Sequence, residues 1–175
     1  KTHITTSTIL GVGYGTAGLL VYNVHPATCM LAGGLCSVSG MLPDLDSDSG
    51  VPLPACAVCI SPWVDLEGTG ESMVSKASID PMITRQGLVA SAYLYLGGAH
   101  PRSPLAAPLY ADLRDLPPLL IQVGTWETLL DDATRLAESA RAAGVEVELE
   151  QWEEMIHVWP IFAPVLPEGQ QAIDR

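Results

Sequence analysis

The sequence predicts an α/β fold in which a mostly parallel sheet is flanked by helices. Three observations carry that expectation. Residues 55–60 and 119–123 are short apolar runs, with the length and composition of strands buried on both faces. A helical period follows the second run, with Leu129, Ala133, Leu136, Ala137, Ala140 and Ala143 on one face. Residues 145–152 then alternate. Val145, Val147 and Leu149 point one way and Glu146, Glu148 and Glu150 the other, as in a half-buried strand at or near a sheet edge.

The elements are bounded by local chemistry. Ser61-Pro62 ends the first run. Residues 65–82 read mostly as loop. Thr84 is a natural N-cap for a helix over residues 85–96, which Gly97-Gly98 stops. Residues 100–118 contain five prolines and read as a surface crossing. In the helix over 129–143, Asp131 and Asp132 suit the first turn and Arg141 the last, and Gly144 ends it. Strand, helix, strand implies a right-handed parallel crossover.

Residues 1–53 differ in kind. No Asp, Glu, Lys or Arg occurs over residues 2–43. Residues 9–24 and 27–42 are apolar and rich in small residues, separated by Pro26, and each is close to the shortest membrane span of about 17 residues. Two readings fit: a membrane-inserted or interfacial hairpin, with membrane contact through residues 9–42, and a pair of buried elements in a soluble core. Gly11, Gly13 and Gly15 do not make a dinucleotide-binding fingerprint. The acidic loop over 43–54 carries Asp44, Asp46 and Asp48 in alternation, read as a solvated turn rather than a calcium loop. The expected division is therefore an apolar segment with an acidic loop over 1–53, and a second region over 54–175.

Composition narrows function. Twenty acids against eight Lys and Arg leave a net charge of −12, which repels nucleic acid. Cys29, Cys36, Cys56 and Cys59 lack the spacing of a zinc site and read as free thiols, Cys56 and Cys59 buried in the first strand. With no cleavable signal evident, a cytoplasmic protein is expected, membrane association of the N-terminal segment aside.

Open parallel sheets place their ligands at the carboxyl ends of strands. The turns leaving the second and third strands contain Gly124-Thr125-Trp126-Glu127 and Glu153-Glu154-Met155-Ile156-His157. An acid and a histidine therefore emerge at the same end of neighbouring strands. A histidine that moves a proton, fixed by a carboxylate, is what acyl transfer requires; a surface ion pair or a structural histidine is the plainer alternative.

Residues 118–132, with Pro118-Leu119-Leu120-Ile121-Gln122-Val123-Gly124-Thr125-Trp126-Glu127, resemble the acid-bearing segment of bacterial hormone-sensitive-lipase-type carboxylesterases. Trp152-Glu153-Glu154-Met155-Ile156-His157-Val158-Trp159 resembles their histidine segment. Ser61-Pro62-Trp63-Val64-Asp65-Leu66 and Ser103-Pro104-Leu105-Ala106-Ala107-Pro108-Leu109 match further segments in the same order. The resemblance covers residues 54–175. It implies the C-terminal part of an α/β-hydrolase fold and cleavage of short acyl or aryl esters without a cofactor. Glu127, where the family often has Asp, and His157 would be the acid and base.

The family's Gly-x-Ser-x-Gly nucleophile elbow occurs nowhere in the chain. The window where the resemblance would put it contains Gly34-Leu35-Cys36-Ser37-Val38-Ser39-Gly40, in which none of Cys36, Ser37 and Ser39 has glycine on both sides at that spacing. His3, with Pro43-Asp44-Leu45-Asp46, resembles instead the start of a membrane-bound metal-dependent hydrolase family. The rival expectations are thus a metal-dependent hydrolase using His3, Asp44 and Asp46, and an inactive esterase remnant or chimera. The strand over 145–152 is a candidate homodimer edge.

Overall fold

A computed structural model describes residues 54–175. The readings that fall on residues 1–53 lie outside the described residues. They are the two apolar runs, the acidic loop, Cys29, Cys36, Ser37 and Ser39, and His3, Asp44 and Asp46.

Residues 54–175 form one unit around a three-stranded parallel sheet. In chain order the elements are β1 (Ala57–Ile60), α1 (Ser72–Ser75), α2 (Arg85–Leu96), β2 (Leu119–Gly124), α3 (Leu130–Ala142), β3 (Val147–Trp152) and α4 (Pro167–Ile173). Short 3-10 turns cover Pro108–Tyr110 and Trp159–Phe162. The strand order is β1-β2-β3, with Ala57 paired to Leu119, and Leu119 to Val147. Among the described strands β3 lies at the edge, as its alternation predicts.

The core forms where α3 lies on β2. Leu119, Ile121 and Val123 pack with Ala133, Leu136, Ala137 and Ala140, joined by Val64, Leu113 and Val145. The row of alanines is what lets a helix sit close to a sheet. Ile121 and Val123 are fully buried, and truncating Ile121 to Ala would cost about 2–5 kcal/mol.

α2 is bounded as the sequence predicts. The Thr84 hydroxyl accepts from Gly87 N at 3.2 Å, and Gly97 closes the helix with φ 54°. The helix buries only Leu88 and Ala92, leaving Tyr93 and Leu94 exposed.

Three expectations need correction. Residues 55–60 are not a strand buried on both faces: β1 begins at Ala57, and Val58 and Ile60 are 55% and 40% exposed. β1 is the outer strand of the described sheet, so only Ala57 and Cys59 reach the core. Cys56, ahead of the strand, is exposed rather than buried; Cys59 is half-buried, and burial pushes its thiol up. β3 starts at Val147, because Val145 N still donates to Ala140 O of α3. Among the described residues no helix is long and apolar enough to cross a membrane.

Candidate active site

Parallel pairing of β2 with β3 runs to Gly124 and Trp152, so the chain leaves both strands at one level. The two exit turns stay joined. Thr125 N donates to Trp152 O at 2.9 Å, Trp126 N to Met155 O at 3.1 Å, and Glu154 N to Thr125 Oγ1 at 2.8 Å. The approach is close enough to demand glycine: a Cβ on Gly124 would lie 2.0 Å from Met155 O.

The turn after Gly124 folds Glu127 back under the strand end. Glu127 Oε1 accepts from Gly124 N at 2.6 Å and from Ser61 Oγ at 2.7 Å. Glu127 Oε2 lies 3.0 Å from His157 Nδ1, and the two side chains are 0% and 2% exposed. A carboxylate only accepts, so the proton of this contact resides on Nδ1, which leaves the Nε2 lone pair as the basic face of the ring. A carboxylate with three donors is fixed in place by hydrogen bonds that are individually strong, because one partner carries charge.

The backbone around the pair is held by further contacts. Asp80 Oδ2 accepts from Thr128 N and Thr128 Oγ1 at 2.8 and 3.0 Å, while its Oδ1 accepts from Met82 N and Ile83 N, each at 2.9 Å. Ser72 Oγ donates to Thr128 O at 2.6 Å and accepts from Asp131 N at 3.0 Å. Thr128, the residue after Glu127, is thus clamped from both sides. On the histidine side, Trp159 is fully buried with its ring centroid 5.6 Å from that of Trp152. Ser61, Glu154 and Val158 adopt positive φ of 47°, 59° and 48°. For a β-branched residue such as Val158 this is a costly conformation, of the kind that clusters at functional sites.

A second polar cluster supports the turn after β1. Asp132 Oδ2 accepts from Val64 N and Asp65 N, both at 2.9 Å, while Asp132 Oδ1 is buried without a hydrogen-bond partner. Burial pushes the Asp132 carboxyl up to about 7 against those two donors. Asp65 is buried too, which raises it, but donors from Thr69, Arg135 and Glu67 N prevail and hold it at about 2. Asp132, in the first turn of α3 as the sequence predicts, therefore also secures a neighbouring loop. Among the described residues no group of three or more His, Cys, Asp or Glu side chains could hold a metal ion.

Of the residues singled out in the sequence, the structure brings Glu127 and His157 into direct contact. The candidate nucleophiles Cys36, Ser37 and Ser39 and the candidate metal ligands His3, Asp44 and Asp46 lie outside the described residues. Sequence reasoning missed Ser61. The available signal was a hydroxyl at the C-terminal end of β1, where strand-end side chains face a site.

With this geometry in view, comparison with known proteins is direct. A family model described as the alpha/beta hydrolase fold matches residues 32–161, and the chain belongs to that family. It is of the bacterial hormone-sensitive-lipase type. A crystal structure of an esterase from that family superposes with a TM-score of 0.73 at 54% identity, covering 81% of this chain and 47% of the other. An acetyl-hydrolase of Streptomyces hygroscopicus is 50% identical over 127 residues, 73% of this chain and 42% of the relative. An esterase of Acinetobacter venetianus is 32% identical over 165 residues, 89% of this chain and 52% of the relative. The chain thus spans about half the length of these relatives. The family match begins at residue 32, before the 54 from which the resemblance was read. It takes in Asp44 and Asp46, so it does not favour a metal-dependent hydrolase there.

Proposed function

We propose that this chain carries the acid–base half of a carboxylic-ester hydrolase, with His157 as general base and acid and Glu127 as the carboxylate that orients it. The observation that carries the reading is the buried 3.0 Å contact between His157 Nδ1 and Glu127 Oε2 at the carboxyl end of a parallel sheet. His157 Nε2 takes the proton of a hydroxyl or thiol nucleophile as that nucleophile attacks the ester carbonyl. The imidazolium then returns the proton to the departing alkoxide, so the ester C–O bond breaks with release of a neutral alcohol. Water repeats the cycle on the acyl-enzyme, with His157 as base again. Glu127 stays ionised throughout, stabilises the imidazolium and holds the tautomer that exposes Nε2.

The names of the relatives, acetyl-hydrolase and esterase, support short acyl chains on the substrate. The chemistry calls on no cofactor. Hydrolysis of p-nitrophenyl butyrate by the full chain, lost in His157→Ala and indifferent to a chelator, is the test. Activity that a chelator abolishes and His157→Ala spares would return the metal reading.

A further inference from the structure

We infer that Ser61 is a positioning residue of the acid–histidine pair, its single hydroxyl setting both the carboxylate of Glu127 and the backbone that carries His157; this rests on the functional reading of that pair. Three observations lead there. The hydroxyl is used twice: Ser61 Oγ donates to Glu127 Oε1 at 2.7 Å and accepts from Val158 N at 3.0 Å. Those partners lie 66 and 97 residues away in sequence, on the exit turns of β2 and β3. One side chain from the end of β1 therefore joins the acid to the residue following the histidine.

The second observation is burial. Ser61 is 1% and Glu127 0% exposed, so losing the hydroxyl would leave Glu127 Oε1 one partner short away from water that could replace it, and would also remove the acceptor of Val158 N. The third is strain. Ser61 and Val158 both hold positive φ, 47° and 48°, and both are joined through this one oxygen. A positive φ at Ser61 directs its side chain out of the strand pleat, toward the neighbouring turn. Ser61 N meanwhile stays tied to β2 by donation to Gln122 O at 2.7 Å. The two positive-φ residues are thus joined by the Val158 N–Ser61 Oγ hydrogen bond, and the same hydroxyl donates to the carboxylate.

The arrangement also assigns the Ser61 hydroxyl its role. Its proton goes to Glu127 rather than to His157, so it is not a nucleophile for this histidine. By occupying Oε1 together with Gly124 N, it leaves Oε2 as the oxygen that faces the imidazole.

The test is spectroscopic and does not depend on turnover. In the full chain with labelled histidines, the Nδ1 proton of His157 shared with a carboxylate gives a far-downfield, slowly exchanging resonance. Glu127→Gln tests the pair itself: if that resonance is unchanged, the acid–histidine reading fails, whatever Ser61 does. If it moves, Ser61→Ala and Ser61→Gly test the inference. Both remove the hydroxyl, and glycine in addition accepts φ 47° without strain. The expected result is exchange of the His157 Nδ1 proton at least about tenfold faster in both variants, with the folded spectrum retained in Ser61→Gly. Unchanged exchange in the two variants would overturn the inference. So would loss of the resonance only in step with global unfolding, which would make Ser61 a structural residue alone.

Discussion

Glu127 and His157 meet at 3.0 Å across two turns that are themselves held in step, because β2 and β3 end on the paired residues Gly124 and Trp152. The contact follows from topology. Two parallel strands in register deliver their exit turns to the same edge, and hydrogen bonds from Thr125 N and Trp126 N carry the pairing one step past the strands.

Replacing the acid should separate orientation from binding. In Glu127→Gln the amide NH2 cannot accept, so at least one of the donors Ser61 Oγ, Gly124 N and His157 Nδ1 loses its partner. The histidine is then free to adopt the wrong tautomer. In ester hydrolysis kcat should fall about a thousandfold or more, as for acid replacements in related triads, with KM little changed. Steady-state kinetics on p-nitrophenyl butyrate read the split.

Gly124 is the narrowest point of the site. A methyl there would meet Met155 O at 2.0 Å and Glu127 Oε1 at 3.1 Å. Gly124→Ala must therefore push the histidine turn away from the acid. The expected stability loss is about 1–3 kcal/mol, typical of overpacking, read as a lower urea midpoint. Activity should fall more than stability does, since the displaced turn carries His157.

Asp132 predicts a pH dependence of stability. Its carboxyl is raised to about 7 in the fold, against an ordinary value of 3.8. Between those values the folded state binds the extra proton, so the contribution of Asp132 to stability declines as pH rises from about 4 to about 7 and then levels. Asp65, held at about 2, acts in the opposite sense and withdraws stability only as pH falls below about 4. Asp132→Asn keeps an oxygen for Val64 N and Asp65 N and removes the titration. Urea midpoints at pH 4.5 and pH 7, two assay values bracketing that window, should fall for the parent chain relative to the variant. Parallel pH profiles for the two proteins would contradict this.

Much of the architecture was legible in the sequence. The Thr84 cap and Gly97 stop bound α2 as read, and the alternation over 145–152 places β3 at the edge of the described sheet. Strand-end logic found Glu127 and His157, because parallel pairing fixes where the chain exits. What failed had a common cause. Apolar composition says that a segment suits burial, not which faces are covered, so Val58, Ile60 and Cys56 were misread. Asp132 does lie in the first turn of α3, but its second role was not legible, because the donors it holds, Val64 N and Asp65 N, are 68 and 67 residues away. The position of Ser61 at the end of β1 was legible, but its partners were not, because local patterns carry no information on a hydroxyl's contacts in distant turns.

The most direct test of the account is the rate of p-nitrophenyl butyrate hydrolysis by the full chain and by His157→Ala, each with and without chelator. A proton-transfer histidine predicts hydrolysis above the buffer rate that falls at least about a thousandfold in His157→Ala and ignores the chelator. Hydrolysis above the buffer rate that is equal in the two proteins, or that the chelator abolishes, would contradict it.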